Sequence, residues 1–311
     1  MFRLIVTKLI QGLLMVTAVS AITFALLSRA GGDALTALRD NPQVSEQTIE
    51  RLQDHYGLDR PVLTRYLNWL GSFIAGDMGE SFHFRIGVLP LVLSRFWNTV
   101  LLGVGAMLIA WSIAIGLSYS ASLFKKHSLD RFIELLVLLT ASTPRIVLAL
   151  FALALFVRST GTAIEVRSGS IPAYLISAFV LAVPVIALFL AQTHNELTTA
   201  MNEDSIAMAR AKGLSESLII RRHASRFAVN PLLTILGLSL GSIIGGSVIV
   251  ETILGWPGLG DLMVTAVRFR DVPLVMGVVV VTSVAVWLGN SIAEILQLVN
   301  DRRLRDSEII T

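Results

Sequence analysis

The sequence predicts an all-α polytopic membrane protein, and three observations support that fold class. Hydrophobic residues make up 54% of the 311 residues, and charged residues make up only 15%. The mean hydropathy is +0.73, whereas soluble domains carry about a quarter charged residues. Six apolar runs are each long enough, at about 20 residues, to cross a bilayer as a helix.

These six runs are the predicted transmembrane helices. The first run follows Arg3 and Lys8 and is longer than the roughly 7–15 apolar residues at the centre of a cleaved signal peptide. We therefore interpret it as a retained helix. The predicted spans cover roughly residues 9–28, 99–121, 132–157, 173–193, 232–253 and 274–299.

Lysine and arginine predict how the spans are oriented, because short cytoplasmic loops are enriched in both. With the N-terminus in the cytoplasm, the inside segments hold thirteen of these residues and the short outside loops hold four. All four lysines then lie inside. Both termini are therefore predicted to be cytoplasmic, and the polar loop at residues 196–231 with them.

The chain is predicted to have four parts. Residues 1–28 form the N-terminal end and first span, and residues 29–98 form an outside loop. Residues 99–299 form the core of five further spans, and residues 300–311 a cytoplasmic tail. Within the outside loop we predict two helices, Ser45–His55 and Leu63–Ala75, followed by the segments GDMGES (76–81) and Val88–Phe96. Their apolar faces predict a small cap lying on the outer membrane interface.

The loop at residues 196–231 is the one long polar segment between two apolar runs in the second half of the chain. Helix-forming residues from Thr198 to Lys212 predict a first helix. Gly213 is placed to end it in a left-handed conformation. Ser215 is placed to cap a second helix, which is predicted to end in a basic cluster before Pro231.

Two such short helices cannot bury their own apolar residues, so the loop is predicted to present a face to a partner. A solvated connecting loop is the alternative. A nucleic-acid-binding helix–turn–helix is the other familiar interpretation of this pattern. Nucleic acid is not an expected partner, because the membrane spans on both sides leave no room to approach a duplex.

The third span contains a proline and an arginine near its middle, Pro144 and Arg145. Proline removes a helix hydrogen bond and predicts a kink. A charge at this depth usually faces a water-filled path or an acidic partner. Arg145 therefore either lines a pathway or forms an internal ion pair, for example with Glu251, and the sequence leaves both interpretations open.

The fifth span has glycines at intervals of four, which share one helix face: Gly237, Gly241 and Gly245. Small residues on one face permit close approach of another helix. We predict a tight interface or a movable seam here, with ordinary internal packing as the alternative.

The segment ETILGWPGLGDL, residues 251–262, predicts a rigid outside turn. Trp256 and Leu259 are expected to anchor the turn among lipid headgroups, and residues 263–272 to form a short interfacial helix. The residues predicted to build the turn are Gly255, Trp256, Pro257, Gly258 and Gly260.

No catalytic, cofactor-binding or metal-binding site is predicted. The chain has no cysteine, its five histidines are scattered, and it lacks both the G-x-S-x-G and the G-x-x-x-x-G-K-[ST] patterns. A nucleotide that drives this protein would therefore have to bind another subunit. Carriers driven by protons usually bury acidic residues in mid-span. Here Glu134, Glu251 and Glu294 lie near span ends, which argues against such a carrier. An ion- or proton-coupled carrier is kept as the alternative to a protein driven by nucleotide.

The whole chain resembles the inner-membrane permease subunits of ATP-binding-cassette importers, in the dipeptide, oligopeptide and nickel branch. In ARAKGLSES, Ala209 and Gly213 occupy the third and seventh positions of that family's coupling motif, although Ala207 and Met208 replace its opening Glu-Ala. The other segments that carry the resemblance are RRHASRFAVNP (221–231), GLDRP (57–61), GDMGES (76–81), ETILGWPGLGDLM (251–263) and RDVPLVMG (270–277).

The resemblance implies a type I importer fold with six transmembrane helices and a helical periplasmic insertion after the first. It implies a bacterial inner-membrane location, a second homologous permease in a heterodimer, two cytoplasmic ATPase subunits that bind ATP and magnesium, and an external solute-binding protein. The expected cargo is a short peptide or a related solute such as a nickel chelate, and no enzymatic activity is expected in this chain. Coupling to the ATPase is assigned to Glu203, Asp204, Ala209, Arg210, Ala211, Lys212, Gly213, Leu214 and Ser215.

Overall fold

The computed structural model describes residues 2–29, 47, 60–160 and 171–300. In these ranges the chain is α-helical with one π-turn, and the only strand-like feature is an isolated bridge between Glu80 and Gly87. The all-α prediction is confirmed. The helices are α1 (Phe2–Arg29), α2 (Val62–Ile74), α3 (Val88–Phe124), α4 (His127–Ser142), α5 (Arg145–Thr160), α6 (Ile171–Met201), α7 (Asp204–Ala211), α8 (Glu216–Ile219), α9 (Ser225–Leu254), α10 (Leu259–Arg268) and α11 (Val272–Asn300).

Five of these helices, α1, α3, α6, α9 and α11, contain a stretch long and apolar enough to cross a membrane. The pair α4 and α5 supplies a sixth crossing when it is counted as one broken span. The number of apolar spans therefore agrees with the sequence prediction. The predicted helix Ser45–His55, most of GLDRP and the tail after residue 300 lie outside the described residues.

The third span is broken rather than kinked. Between α4 and α5 the axis bends by 96°, and Thr143 at the break is extended, with φ −87° and ψ 118°. The ring of Pro144 explains this, because a residue before proline is pushed out of the helical region. The sequence identified the position of the distortion and underestimated its size.

The second span begins earlier than predicted. Helix α3 contains 37 residues and starts at Val88, so Val88–Phe96 is the beginning of this helix and not a separate loop segment. Pro90 is compatible with the helix because it lies in the first turn, where backbone N–H groups have no partner within the helix. The polar residues Ser94, Arg95 and Asn98 had moved the predicted boundary to residue 99.

The described chain divides into two compact units. The first comprises Met1–Asn98 and Gly258–Trp287. Its buried centre includes Val88 and Val92 of α3, Leu262 of α10 and Leu274 of α11. The predicted helix Leu63–Ala75 is present as α2, within one residue at each end.

Helix α2 packs on α1 in this first unit through aromatic side chains. The hydroxyl of Tyr66 lies 3.0 Å from Ser20 Oγ and donates to the carbonyl of Thr17 at 3.3 Å. The Tyr66 ring also contacts Phe24 edge-on and stacks beside Trp69. This part of the outside loop is therefore attached to the first span.

The second unit comprises Thr99–Pro257 and Leu288–Thr311. Helix α9 packs along α6, α4 packs against α6, and α5 packs against both α6 and α9. The side of α3 that faces this core carries fully buried alanines at intervals of four, Ala106, Ala110 and Ala114. Small residues at this spacing let helix backbones approach closely, so the second unit is a tightly packed bundle.

Candidate functional site

The polar segment folds as two helices and a turn, here called the elbow and defined as residues 202–224. Helix α6 runs on to Met201, and α7 begins at Asp204. The predicted single helix Thr198–Lys212 is therefore wrong. Asn202 ends α6 by donating its side-chain amide to the carbonyl of Thr198 at 3.1 Å, a local bond that competes with helix continuation.

The turn at the centre of the elbow forms as predicted. Gly213 has φ +76°, its N–H donates to the carbonyl of Arg210 at 2.9 Å, and Leu214 donates to Ala209 at 3.3 Å. This pair of bonds is the Schellman arrangement that ends many helices. Ser215 Oγ accepts the N–H of Leu218 at 3.4 Å, which confirms the predicted cap.

Buried apolar residues attach the elbow to the bundle. Ile206 of α7 and Ile219 of α8 are fully buried and pack with Leu197 and Ala200 of α6. Polar contacts add to this, because the Tyr119 hydroxyl of α3 lies 2.7 Å from Ser217 Oγ. The elbow is therefore seated on helices of the second unit.

One carboxylate links the elbow to the end of α3. Glu216 accepts Arg210 Nε at 2.8 Å and Lys125 Nζ at 3.2 Å. The hydrogen bond from Arg210 and the second one from Lys125 hold the pKa of Glu216 below its usual value, although burial acts in the opposite direction. Glu216 is one-third exposed, at 33%, so water screens these ion pairs.

The second helix of the elbow does not end before Pro231. It continues from α8 through a π-turn, Ile220–Ala224, into α9. The prediction that a basic cluster ends this helix is wrong. The apolar residues Ile219, Ile220 and Ala224 are buried, while Arg221 and Arg222 are exposed, so the helix keeps an apolar face toward the bundle and continues.

Most residues assigned to coupling are exposed. Ala209 is buried, and Arg210 and Leu214 are partly buried. Met208, which the sequence did not single out for coupling, is 62% exposed beside them. A long apolar residue beside a predicted turn, in an otherwise polar segment, was a signal in the sequence that could have identified Met208. The exposed members of the assigned set are Glu203, Asp204, Ala211, Lys212, Gly213 and Ser215.

A polar cavity of about 340 Å³ lies beside the elbow. His194 Nε2 of α6 lies 3.5 Å from Asp130 Oδ1 of α4 in its wall. The sequence gave no signal for this pair, because the two residues lie on helices whose packing cannot be deduced locally. The lining residues are Ala121, Ser122, Lys125, Asp130, His194, Thr198, Met201, Asn202 and Arg210.

Arg145 lies immediately after the break in the third span. Its Nη2 donates to Ser242 Oγ of α9 at 2.6 Å, and its guanidinium covers Gly246. Glu251 is not among the contacts of Arg145 in the described chain, and it accepts a hydrogen bond from Thr99 at 2.7 Å. Of the two open interpretations of Arg145, the internal pair with Glu251 is therefore wrong.

The predicted glycine row does not form one continuous seam within the described part of this chain. A Cβ at Gly237 would lie 3.0 Å from Ala293 of α11, whereas one at Gly245 would meet nothing within 4 Å. Gly241 is partly exposed. One end of the row is packed, and the other is open.

The predicted outside turn forms at Gly255, but its two expected membrane anchors, Trp256 and Leu259, are buried. Gly255 has φ +74° and ends α9. Trp256 is 3% exposed and its ring lies beside that of Tyr174. Leu259 is buried in the first unit and begins α10. The prediction of headgroup anchors is therefore wrong, and the helix after the turn begins at residue 259 rather than 263.

A buried carboxylate in the first unit was missed by the sequence analysis. Asp271 is fully buried and accepts Ser81 Oγ at 2.6 Å, the N–H of His83 at 3.0 Å and the N–H of Leu274 at 3.2 Å. We call residues 76–88 together with 269–274 the clasp. An aspartate one residue before Val-Pro is a helix-cap signal, but its partner Ser81 is 190 residues away.

The sequence of residues 112–306 matches a family described as the binding-protein-dependent transport system inner membrane component. Residues 1–103 match the N-terminal part of the same kind of membrane component. The chain belongs to this family. It is a permease subunit of an ABC importer and a multi-pass protein of the inner membrane.

Relatives of this permease share nearly its full length. A Brucella suis biovar 1 protein named as a peptide permease is 31% identical over 98% of this chain and 99% of its own. The oligopeptide transport system permease protein AppB of Bacillus subtilis is 31% identical over 96% and 98%. The glutathione transport system permease protein GsiC of Escherichia coli K12 is 28% identical over 89% and 90%.

Three parts of the permease have polar side chains in defined contacts: the elbow, the Arg145 contact and the clasp. Among the predicted site residues, Gly213 and Ser215 belong to one turn, and Arg145 contacts α9. Within the described ranges no group of His, Asp or Glu is arranged to hold a metal ion.

Proposed function

We propose that this permease forms half of the translocation path of an ATP-driven importer for short peptides, with the elbow as the docking site for a separate ATPase. The ATPase subunits would bind ATP and magnesium. A second, homologous permease would form the other half of the path, and an external binding protein would deliver the cargo. The geometry of the elbow is the observation that carries this proposal.

The elbow has the two properties that a docking element needs. It has an exposed surface, centred on Met208 and the turn at Gly213. It also has a firm attachment, because Ile206 and Ile219 are buried against α6 and α8 continues through the π-turn into α9. A force applied to the exposed surface therefore reaches a spanning helix directly.

The orientation follows from the distribution of basic residues. Arg210, Lys212, Arg221, Arg222 and Arg226 all lie between Met201 and the apolar part of α9, and short basic segments stay in the cytoplasm. We infer from this that the elbow lies on the cytoplasmic side. With six crossings, both termini would lie on that side as well.

A second permease is supported by the open surface of α9. Gly245 has free space beside it, and the neighbouring Ser242 is exposed. A polar or backbone-exposing surface is unfavourable against lipid, and the described residues leave this one uncovered, which supports contact with another protein chain or a water-filled path.

Peptide as the cargo class is supported by the relatives, whose names refer to peptides, oligopeptides and glutathione. Glutathione is itself a tripeptide. The shared feature is a short peptide backbone with at least one free carboxylate.

Cysteine crosslinking tests the docking role, because the natural chain contains no cysteine. In the complete complex, Met208→Cys is expected to crosslink to an ATPase subunit in membranes. Ser72→Cys is the matched control: it is exposed on α2, on the side we assign to the exterior, and it should react only with a membrane-impermeant reagent added outside.

Two results would overturn the proposal. One is labelling of Met208→Cys from the outside in sealed cells. The other is the absence of any crosslink between Met208→Cys and a co-purified ATPase. Purification of an active transporter with no ATPase chain at all would favour an ion- or proton-coupled carrier instead.

A further inference from the structure

Arg145 is a cation in a predicted membrane span, and among the described residues it has no acidic partner. It lies near the middle of the predicted third span, 132–157, where burying a charge is costly unless it is compensated. In the described chain its only hydrogen bond goes to Ser242 Oγ, at 2.6 Å. Its Nε is buried and has no hydrogen-bond partner in that same part of the chain.

Helix α9 is shaped to hold this guanidinium. A Cβ at Gly246 would lie 2.6 Å from Nη1 and 2.9 Å from Nε of Arg145, so any side chain there would displace the arginine. Ser242 lies one helical turn before Gly246, on the same face. The Ser242 hydroxyl therefore binds the guanidinium, and the lack of a side chain at Gly246 leaves room for it on the same helix.

The site opens onto a surface that the described residues do not cover. Arg145 is partly exposed and Ser242 is exposed, and a Cβ at Gly245 would meet nothing within 4 Å. A polar surface at membrane depth cannot face hydrocarbon. It must face the water-filled path or a neighbouring chain.

We propose that Arg145, held by Ser242 and Gly246, binds the carboxylate of a peptide as the peptide passes through the path. A guanidinium has five donors and pairs with a carboxylate through two parallel hydrogen bonds. Nε is buried and Ser242 takes one N–H of Nη2, so the pair would form with the remaining N–H groups of Nη1 and Nη2. The inference rests on the proposed importer function and adds to it a chemical selectivity for anionic cargo.

The test uses the complete importer in proteoliposomes, with two peptides that differ only at the C-terminus. One has a free carboxylate and the other an amide. Uptake of each peptide by a variant is divided by uptake of the same peptide by the natural complex, which cancels any preference of the binding protein.

Arg145→Gln is expected to lower uptake of the free acid about tenfold, the scale of one charged hydrogen-bonded contact, and to leave uptake of the amide nearly unchanged. Arg145→Lys keeps the charge but lacks the two parallel donors, so it should retain part of the free-acid uptake that Arg145→Gln loses. Gly246→Ala keeps the arginine but displaces it, so it should reproduce the selective loss. Gly116→Ala on α3 is the control, because a Cβ there meets nothing within 4 Å.

Equal loss for both peptides, or no loss for either, would overturn the inference and leave the importer function intact. Failure of Arg145→Gln to assemble, with normal uptake of both peptides by Gly246→Ala, would also overturn it and would indicate an ion pair with a carboxylate of the second permease. Failure of the natural complex to transport either peptide would reject the proposed function, and this inference with it.

Discussion

The elbow and the clasp both use one carboxylate to tie a polar turn to helices, but they do so in opposite environments. In the elbow, Glu216 is one-third exposed and binds two cationic side chains, Arg210 and Lys125. In the clasp, Asp271 is fully buried and binds a hydroxyl and two backbone N–H groups. Water therefore reaches the carboxylate of Glu216 and does not reach that of Asp271.

This difference determines how easily each contact can be exchanged. An exposed ion pair contributes about 0–1 kcal/mol, and salt weakens it. A buried acceptor is expensive to remove, because each donor left without a partner costs about 1–3 kcal/mol. The clasp is therefore a fixed attachment. The ion pairs of Glu216 can be broken and remade at little cost, while Ile206 and Ile219 keep the elbow attached to α6.

The largest effect is expected from removing the buried carboxylate. Asp271→Ala leaves Ser81 Oγ and the N–H groups of His83 and Leu274 without their acceptor, so the free energy of unfolding should fall by about 3 kcal/mol or more. Thermal unfolding of the purified permease in detergent measures this, together with its level in membranes.

Asp77→Ala is the matched control, since Asp77 makes an exposed bond of 2.8 Å to the N–H of Gly79 in the same clasp. It should cost well under half as much. Equal costs for the two variants would mean that burial is not what makes Asp271 important.

A smaller loss of stability, with a large loss of transport, is expected from Gly213→Val. The backbone there has φ +76°, which costs a branched residue about 1–2 kcal/mol, although the space around it is open. Peptide uptake should be lost while the protein stays in the membrane and keeps its partners. Gly71→Val serves as control, because its surroundings are equally open and its backbone is helical; normal uptake by Gly213→Val would contradict a coupling role for the turn.

The smallest effect is expected at Glu216. Because its folded pKa is depressed, its contribution is complete above the pKa of an unfolded glutamate, about 4.3, and is lost as the pH falls through the lower folded pKa. Glu216→Gln should therefore lower stability by less than about 1 kcal/mol at pH 7 in low salt, and the difference from the natural protein should shrink at high salt and below about pH 4.

Unfolding temperatures of both proteins across pH and salt measure this. Glu80→Gln, at an exposed glutamate of the clasp, controls for a general effect of charge. A difference that is constant from pH 7 to pH 3 would show that the ion pairs contribute nothing.

Local sequence signals predicted the parts of the molecule that are determined locally. The glycine at 213 and the serine at 215 predicted the elbow turn, because a left-handed terminator and a cap depend on only a few neighbouring residues. The apolar runs predicted the number of spans. The interruption at Asn202 was missed, because a single side-chain bond to Thr198 decides it.

The remaining features depend on contacts between distant residues. Asp271 meets Ser81 across 190 positions, and Arg145 meets Ser242 across 97. Trp256 was expected at the lipid surface because tryptophan is common there, whereas it is buried in the core of the second unit beside Tyr174. The break at Pro144 was predicted in position, but its 96° angle depends on how α4 and α5 pack on the bundle.

The continuity of α8, the π-turn and α9 gives the permease a lever. From Glu216 to Leu254 the continuous helical segment extends about 58 Å at 1.5 Å per residue, and it packs along α6. A displacement at the elbow is therefore carried by one unbroken element to the other end of the fifth span, with no intervening loop to absorb it.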